Sequence, residues 1–177
     1  MGAELFWSNV NSDPKRRFRF TVGIGNIPVW TIKTAVKPKA AVSVVEHQFI
    51  NHTFKYPGRV TWENISMTLV DPVSPDLAQT FLEKLKGSGY AYPRDQNERG
   101  SISKKNSVGA LGAIRISQID ADGAPIETWD LHNPFLTNID FGGSLDYTSD
   151  EMNEISVEVA FDWAELNPGG RPVPSLR

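Results

Sequence analysis

The chain has 177 residues, 40% apolar and 22% charged, with a net charge of −3. That length suits one domain burying roughly 70% of its unfolded surface, and a slightly acidic balance argues against a nucleic-acid binder. Cysteine is absent, which excludes a disulfide framework and thiolate metal ligands.

No apolar run approaches the ~20 residues that a bilayer span needs. The opening MGAELFWSNVNSD has neither a basic stretch nor an apolar core. No secretory signal is therefore expected, and the myristoylation match is poor. Assembly in the cytoplasm is the expectation. Phe6 and Trp7 belong to a polar lead that a neighbour could order. Lys15, Arg16 and Arg17 form a basic cluster too short to suggest nucleic-acid binding.

Phe18, Phe20 and Val22 alternate with Arg19 and Thr21, a strand with one buried face. Gly23 and Gly25 follow, but the third glycine of a dinucleotide fingerprint is missing and Pro28 stands where its helix would begin. They read as a turn. Strands are expected over residues 29–36 and 42–50, separated by Lys37-Pro38-Lys39.

A long hairpin arm is expected over about 47–62. Tyr56-Pro57-Gly58-Arg59 reads as its type II turn, and the return strand runs to Val70 with Ile65, Met67 and Leu69 on one face. Such a turn splays its strands, so the arm is open, and Phe49, Phe54 and Tyr56 make its end too apolar to leave bare. The arm either lies on its own core or docks on another subunit. The second reading makes Phe49, Phe54, Tyr56, Pro57, Arg59 and Trp62 candidates for intersubunit contact.

One helix is expected, about 75–87: Ser74 as N-cap, Pro75 first, Leu77, Phe81, Leu82 and Leu85 as stripe, Lys84 and Lys86 in the last turn. Residues 87–108 read as a long polar loop ordered by contacts between subunits. Asp122-Gly123 between apolar runs marks a hairpin of residues 112–120 and 125–131. Residues 136–140 continue as strand, kink at Gly142-Gly143, and resume over 145–147. Residues 155–163 are the cleanest amphipathic strand. The tail, 167–177, is rich in Pro and Gly and should not extend a sheet.

No catalytic constellation stands out. His47 and His52 would lie on opposite faces of one regular strand, and no H-E-x-x-H is present, so no metal site is expected. Asp120 and Asp122 flank a turn rather than a calcium loop. Neither a P-loop nor a G-x-S-x-G elbow occurs. The chain reads as a non-enzyme without a cofactor. It is expected to be a single mainly β domain, an antiparallel β-sandwich or partly closed barrel with one helix.

Several segments resemble tail tube proteins of contractile-tailed bacteriophages: FRFTVGIGNIPVW, FKYPGRVTWE, WDLHN and LDYTSDEMNEISVEVAFDW. They occur in the right order and cover most of the chain. The resemblance implies hexameric rings stacked into a hollow conduit for viral DNA, in a fold related to type VI secretion tubes. It implies as partners further copies of itself, the sheath, baseplate and terminator proteins, a tape-measure protein in the lumen, and DNA passing without specific binding. The location implied is the virion tail, assembled in the host cytoplasm, with no membrane insertion. A type VI tube subunit and a monomeric β-sandwich binding module are the alternatives. Because DNA would stall on a basic wall, the lumen of such a tube should be neutral or acidic. Glu154, Glu158 and Asp162, on the polar face of the last strand, are the candidates to line it.

Overall fold

The computed structural model describes residues 14–169, so Phe6, Trp7 and the tail from residue 170 lie outside the described residues. Two four-stranded antiparallel sheets form a sandwich. One has the order β1 (Phe20–Ile24), β6 (Ile114–Ile119), β7 (Pro125–His132), β10 (Trp163–Pro168). The other runs β2 (Ile32–Ala35), β5 (Ile65–Val70), β9 (Glu154–Ala160), β8 (Phe135–Asp140). The remaining two strands, β3 (Ala40–Phe49) and β4 (His52–Trp62), pair among the described residues only with each other.

Period-two alternation builds the core. Val22, Ile24, Ile114, Ile116 and Leu131 from the first sheet join Ile65, Met67, Leu69, Ile155, Val157 and Val159 from the second in one buried cluster. Two short helices add Leu77 and Phe81 from α1 (Leu77–Gly87) and Leu111 from α2 (Lys104–Leu111). Each such side chain contributes roughly 1.5–3 kcal/mol on burial.

Several sequence expectations need correction. A second helix occupies 104–111, so the polar loop is only 88–103. Ser103 caps this helix by accepting from the Asn106 N–H at 3.3 Å. The cap of α1 is Asp76, which accepts from the Gln79 N–H at 2.9 Å, rather than Ser74. Residues 29–31 form a 3₁₀ turn rather than the start of a strand. The long hairpin's return strand stops at Trp62, and β5 belongs to a different sheet. Residues 145–147 are not strand. The strand expected over 155–163 breaks at Phe161-Asp162 and crosses to the other sheet as β10, which carries Asn167 and Pro168 of the expected tail.

One buried carboxylate ties the sandwich to the root of the β3–β4 ribbon. Glu127 is only 8% exposed on the inner side of β7. It accepts from Lys37 at 2.5 Å, from the Trp129 indole N–H at 2.9 Å, and from Lys15. Lys37 also donates to Gln118 at 2.7 Å. Lys37 lies in the link between β2 and β3, so these bonds join the first sheet to the point where the arm departs from the second. Burial alone would raise the Glu127 carboxyl. The Lys15, Lys37 and Trp129 bonds together outweigh it and lower its pKa from 4.5 to about 2.

A folded-state pKa below the unfolded one adds stability that is complete above about pH 4.5 and vanishes as pH falls toward 2. Glu127→Gln keeps the shape and removes the charge. We expect it to cost about 1–3 kcal/mol at pH 7, with the difference from wild type shrinking through the window below pH 4.5. Urea unfolding at a series of pH values measures this, and a pH-independent difference would refute the assignment.

Candidate assembly surfaces

The ribbon β3–β4 extends on the order of 30 Å along the ten residues of β3. Its strands pack on each other, and nearly every residue is exposed. The tip is Ile50-Asn51, not Tyr56-Pro57-Gly58-Arg59 as the sequence suggested. Pro57 and Gly58 lie inside β4, at an irregularity where the register shifts opposite Ser43. The Arg59 N–H donates to the Ser43 hydroxyl at 2.9 Å. A Cβ on Gly58 would come within 2.2 Å of that hydroxyl oxygen and 3.1 Å of the Ser43 carbonyl. The glycine therefore serves close backbone approach in a bulge rather than a turn.

Register sorts the side chains. Beyond the bulge, Val45 faces Tyr56, His47 faces Phe54 and Phe49 faces His52, so these six share one face. The other face carries the Glu46–Lys55 pair at 3.6 Å with Gln48 and Thr53. His47 and His52, expected on opposite faces of one strand, therefore stand on two strands and share a face. His52 meets the Phe54 ring edge-on at 4.6 Å. Phe49 is 61% exposed and Ile50 86%. The arm is thus amphipathic, and among the described residues no other element covers its aromatic side.

Of the six arm residues singled out from sequence, Phe49, Phe54 and Tyr56 lie on the aromatic face, and Pro57 and Arg59 flank the bulge. Trp62 is half-buried at the root and packs on Phe161 with ring centroids 5.9 Å apart. At the same root Lys39 and Glu63 form an ion pair at 2.8 Å.

The outer face of the second sheet is polar. Glu154 and Glu158 project from β9 beside Ser156, with Ser66 and Thr68 across on β5. Glu154 pairs with Lys33 of β2, and Glu158 accepts from the Asn64 amide at 3.0 Å. Asp162 does not continue this row. It lies past the end of β9, where Lys104 of α2 donates to it at 2.6 Å and Asn133 at 2.7 Å. Those two bonds hold its carboxyl below the usual range. The structure thus brings together two of the three acidic residues and gives the third a role in fastening α2 to the β9–β10 crossing.

Among the described residues, no three or more His, Asp or Glu side chains gather to hold a metal. No helix there is long and apolar enough to cross a membrane. What the surfaces offer is contact: an unpaired aromatic ribbon and a flat polar sheet face.

No family model matches the sequence, and no curated protein matches it. Solved structures do share its fold. A chain of the anti-feeding prophage baseplate matches with a TM-score of 0.63 at 14% identity, covering 90% of this chain and 99% of that one. A chain of an extracellular contractile injection system, the PVC sheath–tube complex in its extended state, matches with 0.61 at 20% identity over 88% and 92%. A type six secretion system protein matches with 0.50 at 4% identity over 83% and 81%. The fold is therefore one shared with chains of contractile injection systems and, more distantly, with a type six secretion system protein.

Proposed function

We propose that this chain is the structural subunit of the inner tube of a contractile phage tail. Identical copies close into hexameric rings, and the rings stack into a conduit for DNA inside a sheath. The observation that carries this reading is the uncovered aromatic ribbon on a fold shared with components of contractile systems. A ribbon with no further partner among the described residues is suited to reach a second copy. The contact is heterologous, the kind that closes rings. Phe49, Phe54 and Tyr56 supply the apolar contact, and Pro57 and Arg59 shape the strand behind them. Sheath, baseplate, terminator and tape-measure proteins are the partners such a tube needs. A second reading, a tube in an extracellular injection particle rather than a virion, is favoured by the fold likeness to the prophage and PVC chains.

Burying a Phe or Tyr is worth ~1.5–3 kcal/mol, so a few such side chains dominate an interface. We expect Phe54→Ala with Tyr56→Ala to leave the subunit folded, since neither joins the core, and to block tube growth. Circular dichroism and negative-stain microscopy read the two properties. Unfolding of the variant would make the arm part of the core, and normal tubes would remove it from the interface.

The acidic sheet face supports a lumen assignment for Glu154 and Glu158, because a DNA conduit should not present a basic wall. Asp162 was an equal candidate on sequence. Its bonds to Lys104 and Asn133 make it unsuitable for a charge reversal, which would disturb α2 as well. We expect Glu154→Lys with Glu158→Lys to leave tubes and sheath attachment intact and to slow DNA release, with the defect easing as salt rises. Normal release with lost sheath attachment would move this face to the outside.

A further inference from the structure

The sandwich is open along one side. β1 and β2 are end strands of their sheets, and each pairs with a single neighbouring strand among the described residues. Between them lies a groove of about 1010 Å³ lined by Phe18, Phe20, Ala35, Val36, Ile116 and Gln118. Phe18 is 75% exposed and Val36 50%. Ile116 belongs to the buried core, and Phe20 and Ala35 pack against it, so the groove leads directly to the interior. Two bare strand edges beside an apolar groove are a liability that folded proteins cover. Of the rim cations Arg17, Lys33 and Lys37, both lysines are already paired, with Glu154 and Glu127. What the groove chiefly offers is apolar surface.

The chain enters this region tethered at the groove's end. The Arg19 N–H donates to the Arg16 carbonyl at 3.2 Å, a turn that reverses the backbone just before β1. The Gln118 amide donates to the same carbonyl at 3.0 Å. Lys15 bonds to Glu127, the carboxylate that Lys37 also holds. Pro14, where the described residues begin, is therefore one residue from an anchor shared with the groove. Thirteen residues precede it, MGAELFWSNVNSD. Leu5, Phe6, Trp7 and Val10 make this stretch apolar, and Glu4 and Asp13 are its only charged side chains. Fully extended it reaches about 43 Å, against about 17 Å for the five residues of β1.

We propose that residues 1–13 close this groove in their own chain, lying along the β1 and β2 edges with Phe6 and Trp7 as anchors. A segment tied at the groove's end is present there at high effective concentration, which favours it over the same segment of a second copy. A strand edge supplies such a segment with backbone hydrogen bonds, and the adjoining groove takes its side chains. Phe and Trp bring the largest apolar area to that contact. The segment acts as a plug that shields two sheet edges from association with other strands. The contact lies within one subunit and does not rest on the tube reading.

Cross-linking tests it on the full chain, which has no cysteine of its own. Ser8→Cys is combined with Val36→Cys in the groove or, as control, with Ile126→Cys, and a short bismaleimide is added. Ile126 is exposed and adjoins Glu127, so an unbound segment reaches it readily, but it lies outside the groove. Gel mobility and peptide mass spectrometry read the products. The Val36 pair should link within one chain about tenfold faster than the Ile126 pair or more. Adding Phe6→Ala with Trp7→Ala should cut that preference by about tenfold. Circular dichroism confirms that each variant is folded. Equal rates at the two sites, or a preference that survives loss of both aromatic rings, overturns the proposal. A cross-linked dimer through Val36 in place of the single-chain product overturns it too, and gives the groove to a second copy's segment. If the aromatic double variant fails to fold, the contrast between Val36 and Ile126 in the otherwise unaltered chain decides alone.

Discussion

A two-stranded ribbon has no interior, and the rest of this molecule is arranged around that limit. Three or more strands, or a strand pair laid on a helix, can hide an apolar face; two strands in water cannot. The β3–β4 ribbon nevertheless sets six side chains, three of them aromatic, on one side of itself and leaves them uncovered. The sandwich does have an interior. Its two sheets and two helices close around seventeen buried apolar residues. The described chain is therefore split into a part with an interior of its own and a part with none.

Attachment between the two parts follows from that split. A ribbon that projects from a sandwich keeps one direction only if its base is fixed. The chain fixes that base with charge and packing. Lys37 is held to Glu127 and Gln118 of the first sheet, Lys39 to Glu63, and Trp62 to Phe161. Pairing a buried carboxylate is strongly favoured once it is buried, because an uncompensated charge there is costly. Such a node trades little net stability for geometry.

Much of the sandwich was legible in the sequence because period-two alternation reports burial directly. Ile65 to Leu69 and Ile155 to Val159 alternate without exception, and the Asp122-Gly123 turn sits where its dipeptide predicts. The arm's existence was legible too, but not its turn. Pro57-Gly58 carries the strongest local turn signal in that stretch, yet the contact it serves is with Ser43 across the ribbon, which no local pattern reveals. The true tip uses Ile50 at φ 52, a conformation costing about 1–3 kcal/mol for such a residue. Nothing in propensity points to a branched residue there. The second helix was missed because KKNSVGAL has little apolar periodicity; Ser103 before it and Gly112 after it, at φ 81, were the usable signals. Asp162 was read as one of a row because a strand was assumed to continue. The break is fixed by Lys104 and Asn133, which arrive from distant elements.

The contact between Trp62 and Phe161 has a mechanical side. Trp62 ends the ribbon's second strand, and Phe161 stands where the chain steps from one sheet to the other. The strand that follows Trp62, β5, is an inner strand of its sheet, bonded on both sides by β2 and β9. Tension applied to the arm is thus delivered to the seam of the sandwich and to a strand held along both edges. Tension through the ribbon's first strand passes instead to β2, an edge strand of that sheet, and there the Lys37 bonds to Glu127 and Gln118 tie the link to the first sheet. A strand held along both edges yields only when many hydrogen bonds break together.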